Sequence, residues 1–184
     1  TGRPVRMAMT YIEELMAGNP RHPAVMTFKT GVKKDGTITA RQAHLVYDSG
    51  GYAAFKPQRG VTYGSRCLGP YKIPHGHIDS YVVYTNQVPC GSMRAPGDPQ
   101  SIFAAETQID LIARALGIDP LEFRRKNLVQ DDDASPMGHY WQNIMGLRTM
   151  DAAVKESGYV DAKPKTPDSP KKSTKFECEP HVET

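Results

Sequence analysis

The chain has 184 residues, 39% of them hydrophobic and 23% charged, which is enough for one well-buried domain with or without an appendage and too few for two full-sized cores. Its net charge of +3 comes from mixed charges without a long central basic run, which disfavours nucleic acid, and no apolar run approaches the roughly 20 residues that span a bilayer. Three cysteines, Cys67, Cys90 and Cys178, are odd in number and lack CxxC spacing, which argues against a zinc or iron–sulfur site and points to a reducing, cytoplasmic compartment.

The chain opens Thr1-Gly2-Arg3-Pro4 with neither a signal-peptide pattern nor an initiating Met. It runs directly into an alternation of Val5, Met7 and Met9 against Arg6 and Ala8, which predicts a strand and reads as the opening of a fragment. Residues 24–32 and 37–48 are rich in β-branched and aromatic side chains, and Lys34-Asp35-Gly36 between them supplies the turn of a tight hairpin. From Gly50 to Pro74 the glycines and prolines come too often for long elements, so loops with one helical turn are expected. A further strand is predicted over 78–85, with Ile78, Val82 and Tyr84 on one face.

Ile102, Ala105, Ile109, Ile112 and Leu116 fall at helical spacing and form one apolar stripe that ends at Gly117, a helix of about four turns. Asp119-Pro120-Leu121-Glu122 carries the cap, the first-turn proline and the acidic third position of a second, shorter helix ending near Leu128. After a polar loop, residues 150–154 suit one more surface helix before Gly158. Residues 161–184 hold five Lys and four Pro with little to bury, which reads as a linker or tail.

The segment from Gly91 to Gln100 lies between a predicted strand and the long helix, so its amides sit at the positive end of that helix and suit an anionic group. Arg94 adds a fixed cation with several donors, and Gly97 permits close approach of backbone to a ligand. Taken alone, the pattern fits an anion site or an ordinary turn with a surface salt bridge.

Several segments resemble the xanthine dehydrogenase and aldehyde oxidase family of molybdenum hydroxylases, in order and at familiar separations. These are Gly2-Arg3-Pro4-Val5-Arg6; Arg21-His22-Pro23 followed by Lys29-Thr30-Gly31; Gly69-Pro70-Tyr71-Lys72-Ile73-Pro74; and Tyr84-Thr85-Asn86. The loop Met93-Arg94-Ala95-Pro96-Gly97-Asp98-Pro99-Gln100 is similar to the family's loop at the molybdenum site, and residues 119–128 to its following helix. The resemblance covers residues 1 to about 159.

It implies oxidation of an aldehyde or heteroaromatic carbon with water as oxygen source, on a molybdopterin cofactor, often in its cytosine dinucleotide form. Iron–sulfur clusters and FAD would lie on other domains or subunits, which are the expected partners along with the rest of the molybdenum subunit. By resemblance Arg94, Ala95, Pro96, Gly97 and Gln100 would contact the cofactor, while Met93, Pro96 and Tyr63 would line the substrate pocket. The metal is held by the cofactor's own sulfurs, so no protein ligands to it are expected.

Departures matter too. Pro96 stands where xanthine-type members place a stacking aromatic, which disfavours a purine. Thr62 or Tyr63, with Arg59 and Arg66 nearby, stands where those enzymes carry a substrate-orienting arginine. The glycine-rich segment expected before residue 1 and the catalytic glutamate expected near the end of a full subunit are both absent, and neither Glu106 nor Glu122 is promoted to that base. The expectation is therefore an α+β domain over residues 1–160, a mixed sheet with a long hairpin packed on two to three helices, with a polar tail over 161–184. It is a molybdenum hydroxylase piece incomplete and inactive alone, or alternatively a non-catalytic binding or assembly module with the family fold. The pair His75 and His77 could bind a metal only with a third ligand, and Cys90 is either a reactive thiol beside the loop or a small buried one.

Overall fold

A computed structural model describes residues 2–52 and 63–159 of the chain. They fall into two compact units divided between Leu147 and Arg148. The expected tail, 161–184, lies outside the described residues.

The first unit departs from expectation at its start. Residues 5–9, expected as a strand, hold no regular structure, and Val5 and Met7 are 76% and 90% exposed. Alternation supplies a strand with an apolar face but not with a hydrogen-bonding neighbour, and no described strand lies alongside this segment. Instead helix α1 forms over Tyr11–Ala17. Thr10 caps it: its hydroxyl accepts from the Glu13 amide at 3.3 Å, and the Glu13 carboxylate accepts from the Thr10 amide at 2.8 Å. None of its residues is buried.

Strands β1 (Ala24–Val32) and β2 (Ile38–Asp48) form the antiparallel hairpin, in a register that places Phe28 opposite Ala43 and Thr30 opposite Arg41. The connection is longer than a two-residue turn. Lys33 donates to the Thr37 carbonyl at 2.9 Å, and the register shifts between Gly31 and Val32. Gly36 turns the chain at φ +86°, and a Cβ there would meet Ile118 Cδ1 at 2.8 Å. Strand β3 (His75–Val83), three residues earlier than expected at its start, pairs with β2 in parallel, so the sheet is mixed with order β1-β2-β3. A 3₁₀ helix at Tyr63–Leu68 provides the expected helical turn.

Helix α2 (Asp98–Leu116) covers one face of the sheet and ends at Gly117 in the left-handed conformation, as its sequence dictates. The buried line is the expected one only at its centre. Ala105 and Ile109 face inward as expected, joined by Ser101 and Ala113, whereas Ile102 is 45% and Leu116 36% exposed. Three small residues around Ile109 let the helix sit close to the sheet, and Ile102 and Leu116 are left at its flanks. Beneath the sheet face Ala43, Leu45, Tyr47 and Cys67 form a buried cluster joined by Met26, Phe28, Ile78 and Val82.

Helix α3 (Pro120–Asn127) starts as expected, with the Asp119 carboxylate accepting from the Leu121 and Glu122 amides at 3.0 and 3.2 Å. Asn127 at its end ties it to the hairpin. Its side-chain amide donates to the Gly36 carbonyl at 2.8 Å and its oxygen accepts from Ile38 N at 2.9 Å. Helix α4 (Gly146–Ser157) is the last described element, has no buried residue, and is followed by Gly158 at φ +63°. The architecture is α+β, in agreement with the sequence pattern.

Candidate functional site

The segment leading into the loop is bolted to the end of β2. The Asp48 carboxylate accepts from the Gly50 amide and from the Thr85 hydroxyl, both at 2.7 Å, and Ser49 and Gly50 exchange backbone hydrogen bonds with Val83, Thr85 and Cys90. Gly50 is required here, since a Cβ would meet the Val88 carbonyl oxygen at 2.4 Å. Cys90 is 3% exposed, and burial, then the nearby Asp48, hold its thiol above the ordinary range. Of the two readings open for Cys90, the small buried thiol is the one the structure supports.

The loop then turns twice through the left-handed region, at Ala95 (φ +56°) and Gly97 (φ +80°). The second of these is the N-cap of α2. What holds the first in place comes from far away in sequence. Arg21 donates from Nη1 to the Ala95 carbonyl at 3.1 Å and from Nη2 to the Arg94 carbonyl at 2.8 Å. The neighbouring His22 has its Nδ1 2.7 Å from the Asp48 carbonyl, and its own carbonyl accepts from Gln100 Nε2 at 2.7 Å. Ser101, fully buried, donates to the Gly97 carbonyl at 2.9 Å.

The expected loop residues are thus brought together as one turn at the N-terminal end of a nineteen-residue helix. Met93 and Arg94 are exposed, Pro96 is half-buried and Gly97 buried. The Arg94 guanidinium has no partner among the described residues, and its carbonyl is spent on Arg21. Tyr63 opens the 3₁₀ helix, but the expectation for its ring lies outside the described residues' side chains. Arg66 on that helix reaches Asp98 at 3.9 Å.

Residues 1–128 match the model of the molybdopterin cofactor-binding domain. The chain belongs to that family. It is 34% identical over 164 residues to the nicotinate dehydrogenase large molybdopterin subunit of Eubacterium barkeri, covering 86% of this chain and 39% of that one. It is 38% identical over 139 residues to a probable xanthine dehydrogenase subunit of Bacillus subtilis, covering 76% and 19%. Among solved structures, the aldehyde oxidoreductase of Desulfovibrio gigas matches with a TM-score of 0.75 at 31% identity, over 83% of this chain and 17% of that one. The chain therefore spans well under half the length of these relatives.

A molybdopterin-binding domain needs somewhere for an anionic, hydrogen-bonding ligand, and the loop offers the Arg94 guanidinium, a cation without a partner among the described residues, at the positive end of α2. The amides of Asp98 and Ser101 are spent on the Ala95 and Gly97 carbonyls, and the buried oxygens Gln100 Oε1 and Asp98 Oδ1 have no hydrogen-bond partner among the described residues and suit donors rather than an anion. No group of three His, Cys, Asp or Glu among the described residues is placed to hold a metal ion directly. His75 and His77 are exposed, and His77 Nε2 lies 3.2 Å from Asp79.

Glu106, one helical stretch beyond the loop, is fully engaged. Its carboxylate accepts from the Tyr71 hydroxyl at 2.9 Å and from Arg124 Nε and Nη2 at 3.0 and 2.8 Å. Burial, then the adjacent carboxylate, push the Tyr71 hydroxyl well above its ordinary pKa. Arg124 also binds Asp110 at 2.6 Å. The network joins α2 to α3 and to the segment before β3, a structural role. Arg21 is the residue that sequence reasoning passed over: Arg21-His22-Pro23 stood out as a motif, but its 73- and 74-residue reach to the loop could not be read.

Proposed function

We propose that this domain forms one wall of the molybdopterin site of a molybdenum hydroxylase that oxidises an aldehyde or heteroaromatic carbon with water as oxygen source. The observation that carries the reading is the loop at the start of α2, turned through two left-handed residues and clamped by Arg21, in a chain of the molybdopterin-binding family. In this reading Arg94, Ala95, Pro96, Gly97 and Gln100 face the cofactor, and Met93, Pro96 and Tyr63 face the substrate.

When bound, the cofactor supplies the metal centre for a two-electron oxidation. The chain's own residues bind and orient it. The Arg94 guanidinium would hold anionic oxygens of the cofactor at the positive end of α2, and Gly97 would bring backbone close where a side chain would intrude. Gln100 keeps its amide on the His22 carbonyl and so locks helix to loop. In this reading the general base comes from outside this chain, and Glu106, whose oxygens are taken by Tyr71 and Arg124, does not serve as it.

Pro96 in place of a stacking ring favours a substrate other than a purine, and a relative named for nicotinate supports a heteroaromatic one. Relatives that are themselves named as subunits support an assembly in which the rest of the molybdenum subunit, iron–sulfur clusters and flavin lie on other chains or domains. The cytosine dinucleotide form of the cofactor and a cytoplasmic location belong to the same reading. So do the assignments of residues 1–160 to the cofactor domain and 161–184 to a tail. No helix among the described residues is long and apolar enough to cross a membrane.

The test is molybdenum and pterin content per chain after co-expression with the partner polypeptides. Arg94→Ala removes one charge-assisted contact, so cofactor content is expected to fall about tenfold at limiting supply, with the melting temperature unchanged. Unchanged cofactor content and turnover in that variant would refute the assignment.

A further inference from the structure

The largest fully buried side chain among the described residues is a cation, Arg41, at 1% exposure. It leaves β2 on the face that also carries Ala43, Leu45 and Tyr47. No described carboxylate pairs with it, and Glu106, whose charge it feels, is spent on Tyr71 and Arg124. A buried charge without a counter-ion is destabilising unless hydrogen bonds surround it, and an apolar side chain of similar volume commonly serves a core as well or better. Here the hydrogen bonds are incomplete too, since Nη2 has no partner among the described residues. Filling the core therefore does not account for an arginine at this position.

What the guanidinium does is bridge. Its Nε donates to the Thr30 hydroxyl on β1 at 3.2 Å, and its Nη1 to the Cys67 carbonyl on the 3₁₀ helix at 2.8 Å. The Thr30 hydroxyl donates in turn to Gln108 Oε1 on α2 at 2.6 Å, and Gln108 Nε2 donates to the Phe28 carbonyl at 3.1 Å. One side chain thus ties the 3₁₀ helix and α2 to the same hairpin. A 3₁₀ helix of six residues holds itself poorly, because its own hydrogen bonds are few and badly aligned, so its place depends on such a tie. Both tied elements line one cavity of about 580 Å³, with Arg66 and Leu68 from the 3₁₀ helix and Ile102, Ala105 and Glu106 from α2. Arg66, one residue before the tied carbonyl, lies 3.9 Å from Asp98, the first residue of α2.

We propose that Arg41 is a positioning residue for the substrate side of the site. By holding the 3₁₀ helix at a fixed spacing from α2 it sets the width of that cavity, and with it the fit of a substrate. The proposal rests on the reading of this domain as part of a molybdenum hydroxylase.

Gly69 N donates to the Arg66 carbonyl at 3.0 Å and so reports on the 3₁₀ helix. In the full chain, Arg41→Met is expected to accelerate hydrogen exchange at Gly69 about tenfold through loss of a charge-assisted bond, with amides in the middle of α2 changed by less than about twofold. Thr30→Val removes only the acceptor for Nε and is expected to act in the same direction by about threefold, which covers the case in which Arg41→Met does not fold. In the cofactor-loaded assembly, KM for benzaldehyde or nicotinate, whichever the parent oxidises, is expected to rise about tenfold in Arg41→Met, with kcat and molybdenum content within about twofold of the parent. Arg41→Lys keeps the charge but not the fork and should fall between. Unaltered exchange at Gly69 in both variants, unaltered KM, or a fall in kcat and molybdenum content in step with KM overturns the proposal. A loaded parent that oxidises neither compound overturns the hydroxylase reading instead, and the exchange at Gly69 still decides whether Arg41 holds the helix.

Discussion

Replacing Arg21 with Met removes the clamp on the loop while keeping most of the side chain's apolar stem. Two hydrogen bonds from a charged donor are lost, at 3.1 and 2.8 Å, to the carbonyls of Ala95 and Arg94. Such bonds contribute about 1.5–3 kcal/mol each when shielded and less at a partly exposed position such as this. Ala95 at φ +56° meanwhile holds about 1–2 kcal/mol of backbone strain that the clamp helps to maintain. A net loss of about 1.5–3 kcal/mol in loop closure follows, or roughly ten- to hundredfold in the population of the open loop. The amide of Asp98, which donates to the Ala95 carbonyl at 3.2 Å, reports that opening directly. Its hydrogen exchange is expected to accelerate by that factor, while amides of β2 and of the middle of α2 change by less than about twofold. Adding Ala95→Gly in the same background relieves the strain and should recover about 1 kcal/mol of the loss. Exchange at Asp98 indistinguishable from the parent would show that the loop holds itself and that Arg21 is only a surface contact.

Two further outcomes follow from the fold. Asn127→Ala leaves the buried Ile38 amide and Gly36 carbonyl without partners, which should cost about 2–4 kcal/mol in urea unfolding with an unchanged denaturant slope, and a loss below about 1 kcal/mol would mean that water or a neighbour replaces the amide. Asp35 is held at a pKa of about 2 by the Thr37 amide, then by Lys126 and the Thr37 hydroxyl. A depressed carboxylate stabilises above its ordinary value of 3.8 and loses that contribution as the pH falls toward about 2. The hairpin turn should therefore loosen in that window. Circular dichroism through an acid titration should show the window flattened in Asp35→Asn, and an identical acid limb in parent and variant would count against the turn's ionic tie.

The lower levels of this structure were readable because they rest on neighbours a few residues apart. The cap at Asp119, the left-handed Gly117, the hairpin and the strand–loop–helix placement of residues 91–100 follow from turn chemistry, capping and periodicity. Helix α1 was equally readable from Thr10-x-x-Glu13, a capping box that the alternation of Val5, Met7 and Met9 drew attention away from. The colinear motifs placed the chain in its family before any contact was known.

What the chain alone determined, then, is most of its local elements and its family. The tertiary structure decided the rest: that residues 5–9 do not pair, that β3 runs parallel to β2, that Ser101 and Ala113 rather than Ile102 and Leu116 join Ala105 and Ile109 on the buried side of α2, and that Arg21 clamps the loop. Each of these depends on which segments meet across tens of residues. Short-range periodicity states that a face is apolar or an amide is free, and only packing states what meets it.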